Sequence, residues 1–176
     1  QSLHIAIIGG GAAGFFAAIE AKRNFPHADI TIFEKNSKVL AKVEITGGGR
    51  CNLTNSFDEI SDLKQAYPRG HKLMKRLFKR FDYQHAFNWF EENGVPLVTQ
   101  EDQCVFPQSQ DSHSIIDCLV NTAKRLGVKI QCNHQLTAIT ELEDERLLLD
   151  FKTSSEIRQI AFHRVAITTG GHPKIE

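Results

Sequence analysis

The sequence predicts an α/β fold with a parallel sheet, and three observations predict it. A short apolar strand, residues 5–8 (Ile-Ala-Ile-Ile), runs into a cluster of glycines. Helix formers follow over residues 12–24, closed by Pro26. A second apolar strand occupies residues 30–33 and ends at Glu34. Strand, glycine turn, helix and strand within about thirty residues make a βαβ unit with a right-handed crossover.

Residues 36–58 carry Gly47, Gly48 and Gly49 among polar side chains, with neither helical nor strand period, and read as a functional loop. Over residues 71–81, Leu73, Met74, Leu77, Phe78 and Phe81 fall on one side of a helix and Lys72, Lys75, Arg76, Lys79 and Arg80 on the other. Asp82 caps a further helix carrying Ala86, Phe87 and Phe90, which Asn93-Gly94 stops. An irregular stretch with Pro96 and Pro107 leads to Asp111 or Ser112. Either caps a helix whose buried side is Ile115, Ile116, Leu119, Ala123 and Leu126, ended by Gly127. Residues 128–132, 136–142, 147–153 and 157–162 read as strands, the last three as a meander separated by polar turns. Residues 165–168 form a last apolar strand ending in Gly170-Gly171.

Composition narrows the function. The 176 residues are 41% hydrophobic and 24% charged, enough apolar side chain for the core of one ordinary domain or of a larger one cut short. Lys and Arg number 21, as do Asp and Glu, so no whole-molecule charge points to nucleic acid or anionic lipid. No stretch approaches the ~18 apolar residues of a membrane span, and the N-terminus lacks the basic run of a signal peptide. Cys51, Cys104, Cys118 and Cys132 stand far apart, without zinc spacing. Reduced thiols in a cytoplasmic protein and no metal site are expected. His113 and His134 read as ordinary polar residues.

Gly9-Gly10-Gly11-Ala12-Ala13-Gly14 satisfies G-x-G-x-x-G between a strand and a helix, with Glu34 twenty residues beyond Gly14. That context is the dinucleotide fingerprint of a Rossmann-like domain. Gly9 permits the tight turn, Gly11 the approach of a pyrophosphate, and Gly14 the close packing of helix on strand. Glu34 accepts from a ribose 2′-hydroxyl and repels a 2′-phosphate, which argues against NADP at this site despite the neighbouring Lys35.

Two later segments separate FAD from NAD. Lys42-Val43-Glu44-Ile45-Thr46-Gly47-Gly48-Gly49-Arg50-Cys51-Asn52-Leu53-Thr54-Asn55 follows the second strand, and Ala166-Ile167-Thr168-Thr169-Gly170-Gly171 follows the meander. Both resemble flavoproteins of the glutathione-reductase-type FAD fold. The first is similar to the K-x-x-I-[ST]-G-G-G-R-C-N-x-T-N signature of a bacterial FAD-dependent oxidoreductase family, the one that includes the aminoacetone oxidases and the bile-acid-pathway flavoprotein BaiN. Glu101-Asp102 with Val105-Phe106-Pro107 and Ser109 resembles that family's E-D-G-R-V-F-P-x-S segment. The resemblance runs from residue 5 to about residue 174. Leu40 stands where many members have glycine, and Gln103-Cys104 replaces Gly-Arg.

The resemblance implies an FAD-binding domain over residues 1–176, a parallel sheet with a three-stranded meander and inserted helices. Family members are roughly twice as long, so a substrate-side insertion and C-terminal closing segments are expected as partners of this part, and self-association of the part alone. It gives Gly9, Gly11, Ala12, Ala13 and Gly14 the pyrophosphate and Glu34 the adenosine ribose. Lys35 and Lys42 fall near the phosphates or ribityl chain. Gly49, Arg50, Cys51, Asn52 and Thr54 lie along the flavin end, with Cys51 in a packing role. Leu136 presents backbone to the adenine edge, and Thr169 and Gly170 pass beside the cofactor. The implied activity is two-electron redox chemistry on a small molecule, with NAD(P)H or oxygen as redox partner and no catalytic residue assigned. A different reading rests on seven basic and no acidic residues over 64–80, a segment suited to RNA phosphates as in tRNA-modifying flavoenzymes. The simpler account of that segment is the solvated side of an amphipathic helix whose other side is core.

Overall fold

A computed structural model describes residues 2–171; the end of the resemblance, from residue 172 onward, lies outside the described residues. The chain divides into two compact units, one of Gln1–Lys42 with Leu119–Glu176 and one of Val43–Cys118.

In the first unit β1 (His4–Ile8), α1 (Ala12–Asn24) and β2 (Asp29–Phe33) follow the expected order, the helix bounds matching and the strands each gaining one residue. With β6 (Lys129–Gln131) and β10 (Arg164–Ile167) they form a parallel sheet of order β10-β1-β2-β6. Ile8 lies opposite Phe33 on one side and Ile167 on the other. Strand β1 is buried from Ile5 onward because both neighbours and both faces cover it, which is why it reads as an unbroken apolar run rather than an alternation. On α1, Phe15, Ala18 and Ile19 are fully buried.

Strands β7 (Gln135–Glu141), β8 (Leu147–Lys152) and β9 (Ile157–Phe162) form the expected antiparallel meander, order β7-β8-β9. Its inward face meets the parallel sheet through one core of Ala6, Ile8, Phe33, Leu149, Phe151 and Phe162. Phe33 stacks on Phe151 with ring centroids 4.1 Å apart and meets Phe162 edge-on at 5.7 Å, offset geometries that aromatic quadrupoles favour.

The second unit departs more from expectation. Residues 36–58 are not a plain loop: they contain α2 (Ala41–Ile45), a 3₁₀ turn over Thr46–Gly49, and β3 (Thr54–Asn55). The stretch with Pro96 and Pro107, expected to be irregular, forms β4 (Leu97–Thr99) and β5 (Cys104–Pro107), and the three strands pair antiparallel in the order β3-β5-β4. Strands of two to four residues carry too few alternations to register as a period; pairing creates them, β3 with the distant β5 and β4 with β5 next to it in the chain. Helix α3 (Leu63–Ala66) starts on Asp62, whose carboxylate accepts from the Lys64 N–H. Helix α5 (Tyr83–Glu92) starts on Asp82 in a capping box with His85, as the sequence predicted for that cap.

Helix α4 (His71–Leu77) is shorter than expected and its apolar side is not core. Leu73 is 51% exposed, Leu77 48% and Phe81 41%. Only Met74 and Phe78 are half-buried, Phe78 against Tyr67 and Phe57. Helix α6 (His113–Arg125) buries Ile115, Leu119 and Ala123, and Gly127, at φ +83°, ends it.

Candidate functional site

The turn after β1 shows three different needs for glycine. Gly9 has φ +113°, and a Cβ there would lie 2.5 Å from the Thr168 carbonyl oxygen. A Cβ on Gly14 would lie 1.9 Å from the Gly9 oxygen, so helix and strand touch backbone to backbone. At Gly11 nothing lies within 4 Å of a built Cβ; the space before the helix is open. Helix α1 begins there without a side-chain cap and without an acidic residue in its first turn. The first-turn N–H groups of Ala12, Ala13 and Gly14 therefore keep their donor capacity for an anion, and the helix macrodipole adds positive potential.

Glu34 is anchored to this turn. Its Oε2 accepts from the Gly10 N–H at 2.9 Å and its Oε1 from the Asn36 N–H at 2.9 Å. Each carboxylate oxygen keeps a further lone pair for a hydroxyl donor. The backbone of Glu34 is fixed as well, its N–H donating to Gln131 and its carbonyl accepting from His134. Leu40 donates its N–H to the Gly10 carbonyl at 2.8 Å from a left-handed φ of +56°, although 98% buried. The resembling family's glycine at this position is thus explained by the backbone, and here the burial of a leucine offsets the strain.

The chain returns beside the turn through β10. Lys42 Nζ donates to the Gly171 carbonyl at 2.9 Å, and Gly170 has φ +70°. Thr169 is exposed, as is Lys35. Thr168, which sequence reasoning passed over, is the residue that locks the turn. Its Oγ1 lies within donating distance of the Ile8 carbonyl (3.0 Å) and the Gly9 carbonyl (3.1 Å). No local sequence signal marks it: the Ile8–Ile167 register, extended by one residue, sets Thr168 beside Gly9, and that register arises only when β10 pairs with β1. Leu136, on the outer strand β7, packs its side chain against the core cluster, next to a bulge at residue 137.

The remaining expected residues belong to the second unit. Gly47, Gly48 and Gly49 take φ of +58°, +68° and +87° in succession, and Cys51 follows at +62°. The Cys51 N–H donates to the Thr46 carbonyl and the Gly49 carbonyl accepts from the Ser112 N–H. Arg50 turns back on the loop: Nε donates to the Gly47 carbonyl at 3.1 Å, Nη1 to Gln110 Oε1 at 3.3 Å, and the guanidinium lies 4.3 Å over the Phe106 ring. Its fork staples the loop. Cys51 is 96% buried, and burial pushes its thiol pKa up, with a smaller opposing effect from the Thr46 hydrogen bond; a protonated packing thiol results. Asn52 is exposed and its amide donates to Cys104 Sγ at 3.4 Å, while Thr54 sits on β3 opposite Val105.

Gln103, where the resembling segment has glycine, also adopts a left-handed φ, +64°. Its carbonyl accepts the Ser56 N–H and its side-chain oxygen the Ser56 hydroxyl, at 2.7 Å. Among the described residues no group of His, Cys, Asp and Glu is placed to hold a metal ion, and no helix is long and apolar enough to cross a membrane.

The sequence profile of the HI0933-like protein Rossmann domain matches residues 3–174. A 3-dehydro-bile acid delta(4,6)-reductase of Clostridium scindens is 31% identical over 135 residues, 77% of this chain and 32% of that protein. A ribosomal RNA dihydrouridine synthase of Haemophilus influenzae is 24% identical over 166 residues, 94% of this chain and 39% of that protein. The chain therefore spans about a third of the length of these curated relatives. Among solved structures, a 3-ketosteroid-delta4-(5alpha)-dehydrogenase of Rhodococcus jostii superposes with a TM-score of 0.71 over 96% of this chain and 46% of that one. At 17% identity that is a likeness of fold.

Proposed function

The chain belongs to the HI0933-like Rossmann-domain family, and from that membership we propose that it is the FAD-holding portion of a two-electron oxidoreductase. The observation that carries the reading is the turn at residues 9–14, open at Gly11 and faced by an uncapped helix N-terminus, with Glu34 hydrogen-bonded to its rim.

FAD supplies hydride-type chemistry at its ring, and the protein supplies position and electrostatics. The N–H groups of Ala12, Ala13 and Gly14 bind the pyrophosphate. Glu34 accepts from the adenosine ribose and keeps out a 2′-phosphate. Lys35 and Lys42 add positive charge near the phosphates, Leu136 offers backbone to the adenine edge, and Thr169 and Gly170 run beside the cofactor. In the second unit Gly49, Asn52 and Thr54 serve the flavin end, while Arg50 and Cys51 hold that loop in shape. The redox partner is NAD(P)H or oxygen, and the substrate a small molecule, in keeping with the reductase named among the similar proteins. Four cysteines, none of them in a disulfide among the described residues, support a reducing, cytoplasmic setting. Exposed Ile167 on the outer strand β10 supports self-association of this chain when it stands alone.

The test is to denature the natively purified complete protein and identify the released nucleotide by chromatography. FAD is expected. Release of NAD, or failure to take up offered FAD, overturns the reading.

The likeness to a ribosomal RNA dihydrouridine synthase favours a second reading, in which the same flavin-holding portion serves an enzyme that modifies RNA. Nucleoside analysis of RNA incubated with the reduced complete enzyme tests it: a reduced pyrimidine nucleoside is expected, and unchanged RNA removes the reading.

A further inference from the structure

Residues 64–80 hold a third of the chain's Lys and Arg and none of its Asp or Glu. The seven cations are Lys64, Arg69, Lys72, Lys75, Arg76, Lys79 and Arg80, and all are exposed. None makes a side-chain ion pair or hydrogen bond among the described residues, whereas Arg23, Lys129 and Arg146 elsewhere pair with acids. The nearest acids on either side are both occupied. Asp62 caps α3, and Asp82 caps α5 while also bonding the His85 ring at 2.6 Å. An ordinary solvated face interleaves both signs of charge; this one does not. The surface is also supported from beneath, since Phe57, Tyr67 and Phe78 pack ring on ring and tie α3 to α4. Leu73 and Leu77 stand exposed between the cations, and Phe81, just after the last of them, exposes an aromatic ring on which an unstacked base can lie.

We infer that this α3–α4 surface docks the phosphate backbone of a structured RNA. The inference rests on the RNA-modifying reading above and deepens it by assigning the substrate to a surface. Seven unpaired cations against a polyanion is the charge complementarity that drives such binding through counterion release.

The experiment measures binding of the complete protein to protein-free ribosomal RNA across a salt series. Two triple variants are compared, Lys72→Gln/Lys75→Gln/Lys79→Gln and the control Lys124→Gln/Arg125→Gln/Lys152→Gln, whose targets are also exposed. Circular dichroism and bound flavin show that each variant is folded. The first triple should bind about 100-fold more weakly at about 0.1 M salt, with a log–log salt slope shallower by about 2–3. The control should change by less than about threefold, as befits cations outside the contact. RNA binding that the first triple leaves intact overturns the assignment of this surface while keeping the RNA reading. No RNA binding by the unmodified protein overturns both. Binding to vesicles of equal phosphatidylglycerol and phosphatidylcholine, lost in the first triple and unmatched by RNA, reassigns the surface to lipid and overturns the proposal.

Discussion

In the turn at residues 9–14 a side chain at Gly9 or Gly14 would meet backbone atoms at 2.5 and 1.9 Å, so the surroundings demand glycine. In the turn at residues 47–49 a Cβ would find open space at Gly48 and only a 3.9 Å neighbour at Gly49, yet all three residues have positive φ. There the backbone's own conformation demands glycine, with a close approach added only at Gly47, whose Cβ would lie 2.8 Å from the Asn52 nitrogen. Packing dominates the first turn, where Gly9 alone also has a positive φ, and dihedral angle dominates the second. The first should fail abruptly on substitution and the second by small increments, because steric overlap with backbone is not relieved by small shifts whereas a left-handed residue costs a bounded amount.

Four substitutions test that contrast. Gly14→Ala should have the largest effect, separating α1 from β1 at a cost of about 3 kcal/mol and abolishing flavin retention. Denaturant unfolding checks the first and the yellow absorbance of the purified protein the second. Gly11→Val should leave stability nearly unchanged, since its Cβ meets nothing, and still remove FAD by filling the space before the helix. Circular dichroism like that of the parent with no bound flavin is the expected pair of results; normal flavin content would refute it. Glu34→Gln should weaken FAD by about 1–2 kcal/mol, or roughly 5–30-fold. It replaces a carboxylate oxygen that accepts a backbone N–H by an amide NH₂ that cannot. Calorimetric titration measures the difference. Gly48→Ala should cost only about 1 kcal/mol, the left-handed penalty alone, read as a shifted urea midpoint at constant slope.

The same contrast explains what the sequence revealed. Strand β1, helix α1 and strand β2 were legible to within a residue because an apolar run, a glycine turn and a helix of 13 residues are each local signals. The meander was legible because polar turns at residues 143–146 and 154–156 separate its strands. The sheet β3-β5-β4 was not, since its longest strand has four residues and β3 pairs with a strand distant in sequence. The apolar side of residues 71–81 looked like core because periodicity reports amphipathicity and not what covers it. At the site, Gly9, Gly11, Gly14 and Glu34 carried their geometry in their spacing. Arg50, which the resemblance sets along the flavin end, has its guanidinium engaged within the chain by Gly47, Gln110 and Phe106, contacts that no local spacing announces. Leu40 and Gln103 departed from the resembling pattern at two positions that the structure shows to be left-handed. A glycine missing from a pattern still marked the turn that needed one.

The Thr168 clamp has a consequence for biosynthesis. Its hydroxyl meets the Ile8 carbonyl across 160 residues of sequence, and β10 completes a four-stranded sheet in which its neighbour β1, one of the two inner strands, is made well before it. On the ribosome, β1, α1 and β2 emerge early and associate locally, but the loop joining β1 to its second neighbour closes only when residues 164–168 have left the exit tunnel. Long-range parallel pairing of this kind raises contact order and slows folding. The flank of β1 meanwhile stays unpaired and available to chaperones or to a neighbouring nascent chain. The turn at residues 9–14 is thereby completed only after residues 164–168 have been translated.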